Sequence, residues 1–376
     1  MLICNPKKCS GCGLCENVCP KEAISLRLDK EGFLYPIINE NCISCNKCVK
    51  LCPQNKNTDT HEANKFFKAY SLDKVLRENS TSGGVIGEIY RYAANLGYYL
   101  FGVAFDEDFS CGFIATRSFF DVKKFHGSKY IGAKSNGCYR EAEKVLKRGE
   151  GVCFVGTPCE CAALRNYLQY DYEKLIMVDF ICHGVSSEKA LRKYIKETEQ
   201  KHGKIVEYRM RSKDNGYLKF SERFTFLDGT SCVGSFYKDD FGYLFASGIS
   251  LRRGCYDCKY VGLNRVSDIT VGDWTFDIGE ENGVSLLIEN SVRGGRVIRE
   301  LIIEGQINVQ PLEKDMVIAK TYRLTHALSV PKLRKYILKN IDRVSLSALS
   351  KRCQKARLWR GKITWLLHKL RKSLKR

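Results

Sequence analysis

The sequence lacks the segments that would carry this chain out of the cell or across a membrane. None of its 376 residues lies in an uninterrupted apolar run near the ~18 residues that a membrane-spanning helix needs. The N-terminus, Met1-Leu2-Ile3, has neither the basic nor the apolar region of a secretion signal. We therefore expect a cytoplasmic location, with peripheral contact at the inner face of the membrane as the alternative.

Two nucleotide-binding signatures are also absent. Gly151 and Gly156 have the spacing of a P-loop, but Pro158 follows Thr157 where a Lys-Ser/Thr pair would be needed. No G-x-G-x-x-G fingerprint occurs in the chain, so the sequence does not predict a Rossmann-type NAD site.

Cysteine, in contrast, is abundant, and eight of the 19 cysteines form two copies of one motif. The run C-x2-C-x2-C-x3-C-P begins at Cys9 and again at Cys42, 33 residues later. In bacterial-type ferredoxins each such run gives three thiolates to one 4Fe-4S cluster and its fourth to the other. A zinc site or a disulfide framework is the alternative, but zinc favours four ligands in two pairs. The predicted ligands are Cys9, Cys12, Cys15 and Cys52 for one cluster, and Cys42, Cys45, Cys48 and Cys19 for the second.

The net charge of +20 is concentrated at one end of the chain. Residues 331–376 contain 16 Lys and Arg but one acidic residue, Asp342, whereas the rest is nearly balanced. We interpret this segment as a solvated basic helix or an interaction tail. The alternative is an amphipathic helix on an anionic membrane surface, with Trp359, Trp365 and Leu366 facing lipid. Nucleic acid is less favoured, because nothing else in the chain resembles a nucleic-acid-binding module.

Between the cysteine motifs and the tail, apolar runs alternate with helical patterns, and a hairpin is expected around Asp228-Gly229. A polar segment, 54–64, separates this region from the motifs. The predicted fold is therefore of the α+β or α/β class. We expect a two-cluster ferredoxin domain over 1–57, a mixed α/β domain over 65–330 and a basic, helical tail over 331–376.

Four short segments of the α/β region carry groups suited to a cofactor. Ser80–Gly84 precedes a helix and offers amides and hydroxyls, although an ordinary helix cap would have the same residues. Gly156–Cys159 and Asp179–Gly184 each follow a strand, where α/β proteins place ligands. The pair Cys255 and Cys258 suits a redox dithiol, half a zinc site or, with two further cysteines, a third cluster.

Through these residues the sequence resembles the coenzyme F420 hydrogenase/dehydrogenase beta-subunit family, in the form with an N-terminal two-cluster ferredoxin. The resemblance extends from Cys9 to about Gly305. The segments that carry it are Ser80–Gly84, Ser128–Tyr130, Gly156–Cys159, Asp179, Cys182–Gly184, Cys255, Cys258, Ser267–Ile269 and Gly272–Trp274.

The resemblance implies a flavoprotein that binds FAD beside a third 4Fe-4S cluster. The implied ligands of that cluster are Cys159, Cys182, Cys255 and Cys258. Cys161, two residues from Cys159, is a less favoured competitor. The implied FAD contacts are Ser80, Thr81, Ser82, Gly83, Gly84, Ser128, Lys129, Tyr130, Gly156, Thr157 and Pro158.

The implied activity is that of an FAD- and iron–sulfur-dependent oxidoreductase. Its FAD would exchange hydride with an organic partner, such as the deazaflavin coenzyme F420, and electrons with the clusters and a redox partner protein or small molecule. Lys129 and His183 are candidates for assisting substrate protonation, although a structural hydrogen bond is the favoured role of His183. The alternatives are a non-enzymatic electron-transfer subunit and a reductase of capsule or exopolysaccharide biosynthesis near the membrane.

Overall fold

The N-terminal motifs fold into a small ferredoxin-like unit in a computed structural model that describes residues 1–277 and 281–356. Its elements are α1 (Leu14–Val18), β1 (Ile24–Leu28), β2 (Leu34–Ile38) and α2 (Lys47–Leu51). Each helix starts after a residue in the left-handed conformation, Gly13 at φ 77° and Asn46 at φ 60°. Each ends at the fourth cysteine of its motif, because the proline that follows cannot continue it.

A nine-stranded mixed sheet forms the body of the molecule. Its strands, in spatial order, are β16 (Ile307–Leu312), β4 (Lys65–Ser71), β15 (Ser285–Glu289), β14 (Ile269–Asp273), β9 (Leu175–Phe180), β8 (Val152–Val155), β5 (Tyr99–Phe105), β6 (Cys111–Thr116) and β7 (Ala133–Lys134). The four strands β14, β9, β8 and β5 are parallel. On the β14 side, β15, β4 and β16 are added by antiparallel pairing; on the other side, β6 pairs antiparallel with β5 and parallel with β7. All four residues of β8 are buried, as expected of a central strand covered on both faces.

Helices cover the sheet. They are α3 (Lys74–Asn79), α4 (Val85–Asn95), α5 (Cys138–Lys147), α6 (Pro158–Leu168), α7 (Glu188–His202), α8 (Asp240–Ala246), α9 (Val292–Ile303), α10 (Lys314–Lys320), α11 (Tyr322–Thr325) and α12 (Arg334–Asn340). Short 3-10 helices span Phe119–Phe125, Tyr217–Lys219 and Arg253–Asp257, and residues 346–356 are also helical. The start of α6 follows from its sequence: Thr157 and Glu160 form a capping box around Pro158.

Two smaller sheets complete the fold. The predicted hairpin is confirmed as part of a three-stranded antiparallel sheet of β10 (Ile205–Ser212), β11 (Ser221–Phe226) and β12 (Ser231–Ser235). Gly229 of its turn has φ +83°, which glycine adopts without strain. A two-residue pairing joins β3 (His61–Glu62) to β13 (Asn264–Arg265).

The ferredoxin-like unit and the large sheet share one hydrophobic core. Leu14 and Phe33 of the unit are buried in the same cluster as Phe154 of the central strand. The Tyr139 hydroxyl of α5 donates a hydrogen bond to the Cys12 carbonyl at 2.6 Å. The mixed α/β fold with an N-terminal ferredoxin-like unit is thus confirmed, while the domain boundaries stay predictions.

Part of the predicted tail packs on this core. Leu346 and Leu349 are buried there, and the Arg334 guanidinium bonds to Glu31 at 2.8 Å. The membrane-facing residues proposed for the tail, Trp359, Trp365 and Leu366, lie outside the described residues. Within the described ranges, no helix is both long and apolar enough to cross a membrane.

Candidate functional site

The predicted ligands of the second ferredoxin cluster come together. Cys42, Cys45 and Cys48 of the second motif line one small cavity with Cys19 of the first motif. Cys45 is exposed, so this site lies at the protein surface. The arrangement fits the crossed pairing that the motif predicts.

The other four ferredoxin cysteines lie deeper in the protein. Burial, assisted by the neighbouring Cys52 and Cys9 thiols, raises the pKa of the Cys12 thiol to about 12. Burial also raises the pKa of the Cys15 thiol, with Cys12, Cys9 and Cys52 as its neighbours. Cys4, which motif reasoning missed because it precedes the first run, neighbours the same group: hydrogen bonding with Cys52 and Cys9, together with burial, raises the pKa of its thiol.

The four cysteines assigned to a third cluster line a second small cavity. Cys159 at the start of α6, Cys182 after β9, and Cys255 and Cys258 around a 3-10 helix all face it. Burial raises the pKa of the Cys182 thiol, with Cys255 and Cys258 adding to the effect. The competitor Cys161 does not line this cavity; it is fully buried and its thiol lies 3.6 Å from the Val178 carbonyl.

An unpartnered hydroxyl supports the fit of an iron–sulfur cluster to this cavity. Tyr260 is 8% exposed and lines the cavity, yet within the described chain its hydroxyl has no hydrogen-bond partner. Arg265 and Arg323 also line it. The charge of Arg265 is paired with Asp179. Four converging sulfurs, a free donor and the Arg323 cation match an anionic cluster with acceptor sulfides.

A much larger cavity, of about 580 Å³, opens beside the carboxyl ends of β8, β9 and β14. Of the predicted FAD contacts, all but Gly83 and Pro158 line it. Gly83 packs on the sheet instead: a Cβ there would lie 2.5 Å from the Ala69 carbonyl. Pro158 lines the third-cluster cavity. The volume lies in the range of about 300–1,000 Å³ that is usual for ligand sites.

The cavity has a charged and aromatic wall that sequence reasoning missed apart from Tyr130. Arg211, 6% exposed, forms an ion pair with Asp273, and its Nη2 has no hydrogen-bond partner in the described part of the chain. Tyr130 stacks on Phe245 with ring centroids 4.2 Å apart. The signal in the sequence was the density of aromatic residues around the hairpin and in α8. Phe220 precedes the hairpin, Phe236 and Tyr237 follow it, and Phe245 lies in α8.

Lys129 and His183 reach the same cavity, but each already has partners. The Lys129 ammonium donates to the carbonyls of Phe125, His126 and Gly127 at 3.0–3.2 Å, and burial lowers its pKa to about 8. Burial, assisted by Arg323, lowers the pKa of His183 to about 4, so its ring is neutral at pH 7. Its Nε2 lies 3.2 Å from the Phe245 carbonyl, to which it donates. This contact supports the structural role for His183.

The large cavity and the third-cluster cavity are adjacent. Five residues line both of them and form a common wall: Thr157, Cys182, Gly184, Val185 and Arg323. A ligand in the large cavity would therefore lie directly beside Cys182, one of the four cysteines.

The fold and the paired cysteine motifs define an iron–sulfur protein in which a ferredoxin-like unit is joined to a mixed α/β body. Comparison with known proteins agrees. A family model described as the C terminus of the coenzyme F420 hydrogenase/dehydrogenase beta subunit matches residues 149–315, and a 4Fe-4S dicluster domain model matches residues 8–56. The chain thus carries the C-terminal domain of the coenzyme F420 hydrogenase/dehydrogenase beta-subunit family together with an N-terminal 4Fe-4S dicluster domain.

Individual relatives cover different parts of the chain. It is 28% identical to a component of the F(420)H(2) dehydrogenase of Methanosarcina mazei over 183 residues, 45% of this chain and 51% of that protein. This chain thus spans about half the length of that relative. It is 39% identical over 54 residues to an uncharacterized ferredoxin of Methanocaldococcus jannaschii, covering 14% of this chain and 70% of that protein.

A solved structure shares the fold. A chain of the F420-reducing [NiFe] hydrogenase complex of Methanosarcina barkeri aligns with a TM-score of 0.50 and 17% identity. The alignment covers 78% of this chain and 92% of that one.

Proposed function

We propose that this chain is an FAD- and iron–sulfur-dependent oxidoreductase whose flavin binds in the large cavity, beside a third 4Fe-4S cluster. The wall shared by the two cavities carries the proposal, because it would place a two-electron cofactor next to a one-electron centre. When bound, FAD would supply hydride exchange with an organic substrate and one-electron exchange with the clusters.

Several groups are available to hold the flavin. Helix α4 begins at Gly84, which is in the left-handed conformation and caps the helix without a side chain. The first amides of α4 therefore suit an anion such as the FAD pyrophosphate. Arg211 offers a buried donor from another side of the cavity. The hydroxyls of Ser80, Thr81 and Ser128 are further contacts.

The aromatic wall would orient the ring system and exclude water. Tyr130, Phe236 and Phe245 form a packed aromatic group with centroids 4.2–6.0 Å apart. Aromatic faces of this kind stack on flat heterocycles. His183, neutral and already donating to Phe245, contributes positioning rather than a proton.

We further propose coenzyme F420 as the organic partner. The M. mazei relative is named as part of an F(420)H(2) dehydrogenase, and the M. barkeri complex as an F420-reducing hydrogenase. Both names also describe parts of larger assemblies, which supports a redox protein as the second partner. The exposed Cys45 end of the ferredoxin-like unit is where such a protein would exchange electrons.

Iron and flavin analysis of the anaerobically purified full-length chain tests this proposal. We expect about one FAD and about 12 iron atoms per chain, the content of three 4Fe-4S clusters. The variant Cys258→Ser should lower the iron content to about 8 atoms per chain, leaving the ferredoxin clusters. Cys232→Ser, at an exposed cysteine of β12, is the matched control and should keep all the iron.

Three results would contradict parts of the proposal. Iron–sulfur absorbance without any flavin would indicate an electron-transfer protein rather than a flavoenzyme. About 8 iron atoms in both the wild type and Cys258→Ser would leave Cys255 and Cys258 with another role. If the flavin-loaded protein is not reduced by F420H2 yet is reduced by dithionite, the organic partner is a different molecule.

A further inference from the structure

We propose that Arg252 raises the reduction potential of the inner ferredoxin cluster, assigned to Cys9, Cys12, Cys15 and Cys52, above that of the outer cluster at Cys45. The proposal rests on the two ferredoxin clusters and not on FAD. It gives a role in electron transfer to a residue of the α/β region, far from the cysteine motifs in sequence.

Arg252 contacts the first cysteine of the first motif directly. Its Nε donates to the Cys9 carbonyl at 2.6 Å, and its Nη2 lies 3.3 Å from the Cys9 sulfur. The guanidinium carbon lies 4.1 Å from the centroid of the Tyr35 ring, and this contact holds the guanidinium group in place. The side chain is only 2% exposed, so water does not screen this charge.

The buried charge of Arg252 needs an anionic partner. Three other buried arginines pair with carboxylates: Arg211 with Asp273, Arg265 with Asp179 and Arg334 with Glu31. Arg252 forms no ion pair with a carboxylate in residues 1–277 and 281–356. Because an unpaired buried charge is costly, the Cys9 thiolate and the cluster that it would bind are the compensating anion.

The sign of the effect follows from electrostatics. A 4Fe-4S cluster gains one negative charge on reduction, and a nearby fixed cation stabilises the more negative form more strongly. No buried cation lines the outer cluster's cavity in the described part of the chain. Lys21 and Lys47 line it, but both side chains are exposed and therefore screened. The inner cluster should thus have the higher potential of the two.

A redox titration of the anaerobic full-length protein, followed by EPR, tests this order. In Arg252→Met we expect the reduction potential of one ferredoxin cluster to fall. The reduced-to-oxidised ratio of that cluster at a fixed potential should drop about tenfold, which is equivalent to about 59 mV for one electron. Arg253→Met is the matched control, because it also removes one positive charge but from the neighbouring, exposed arginine. It should titrate as the wild type does.

A second variant covers the case in which Arg252→Met loses iron. Arg252→Gln is neutral but retains a donor for the Cys9 carbonyl, and it should show the same downward shift. Cys45→Ser alters the signal of the outer cluster and so identifies which step has moved.

Four results would overturn the proposal. The Arg252 variants could keep their iron and show wild-type potentials, or the step that shifts could be that of the outer cluster. Arg253→Met could shift by the same amount, or both Arg252 variants could lose iron while Arg253→Met keeps it. Flavin content is measured on the same samples. A shifted inner step without flavin leaves this inference standing while the flavoenzyme proposal fails.

Discussion

Glu222 is a buried carboxyl group with two tyrosine partners. It is 1% exposed on β11 and accepts hydrogen bonds from the hydroxyls of Tyr194 and of Tyr208, the latter at 2.7 Å. Burial, assisted by the nearby Asp239 carboxylate, raises the pKa of Glu222 to about 8. The hydrogen bonds from the two tyrosines act in the opposite direction and lower it. A carboxyl group in this setting is protonated near neutral pH.

This site predicts that the folded protein loses stability as the pH rises. The folded state binds a proton more tightly than the unfolded state, so stabilisation is complete below about pH 4.5 and disappears as the pH passes about 8. Thermal unfolding at pH 5.5, 7.0 and 8.5 should show the wild-type Tm falling over this range, with Glu222→Gln much less dependent on pH.

The control for this prediction is Glu207→Gln, at an exposed carboxylate of the adjacent strand, which should keep the wild-type pH dependence. Equal slopes for wild type and Glu222→Gln would show that Glu222 does not titrate in this interval.

At the scale of elements, the loop Ser80–Gly84 that leads into α4 is held by a lysine from another sheet. The Lys213 ammonium, just after β10, donates to the carbonyls of Arg77, Ser82 and Asn282, each at 2.6 Å. These three bonds join α3, the loop and the segment before β15. The position of the loop at the cavity therefore depends on a residue more than a hundred positions away in sequence.

We expect Lys213→Met to weaken FAD binding about tenfold or more, because hydrogen bonds to a charged group contribute about 1.5–3 kcal/mol each and the loop would lose its anchor. Flavin fluorescence titration of the apoprotein measures the change. Lys219→Met, at an exposed lysine of the same connection, should bind FAD as the wild type does. Unchanged affinity in Lys213→Met would remove the loop from the proposed flavin site.

At the scale of the whole molecule, the segment after residue 330 is part of the folded body as far as it is described. Leu349 is 1% exposed in the main core, together with Ile337, Ile341 and Leu346. Deleting 331–376 would therefore expose core residues. A deletion of 357–376 is the appropriate test of the membrane hypothesis, since it keeps the core residues named above.

Leu349→Ala should destabilise the protein by about 2–5 kcal/mol, the usual cost of truncating a buried leucine. The same segment offers Lys351→Ala as a control at an exposed position, with little expected effect. Anaerobic denaturant unfolding measures both. A Leu349→Ala variant as stable as the control would mean that this helix does not contribute to the core.

The sequence by itself determined the features that depend on near neighbours. The two C-x2-C-x2-C-x3-C-P runs identified the ferredoxin-like unit, because cluster ligands within one run are close in the chain. Thr157, Pro158 and Glu160 defined the start of α6, and Asp228-Gly229 defined a turn, because caps and turns are local.

Only the tertiary structure decided which distant residues meet. Arg252 reaches Cys9 across 243 positions, and the aromatic wall of the cavity comes from the hairpin region and α8, which no motif marked. Gly83 was predicted at the flavin but packs on a strand, since which side of a loop faces a cavity depends on the sheet beneath it. Burial and partner choice arise from how elements pack, and a local pattern carries little information about elements that are far apart in the chain.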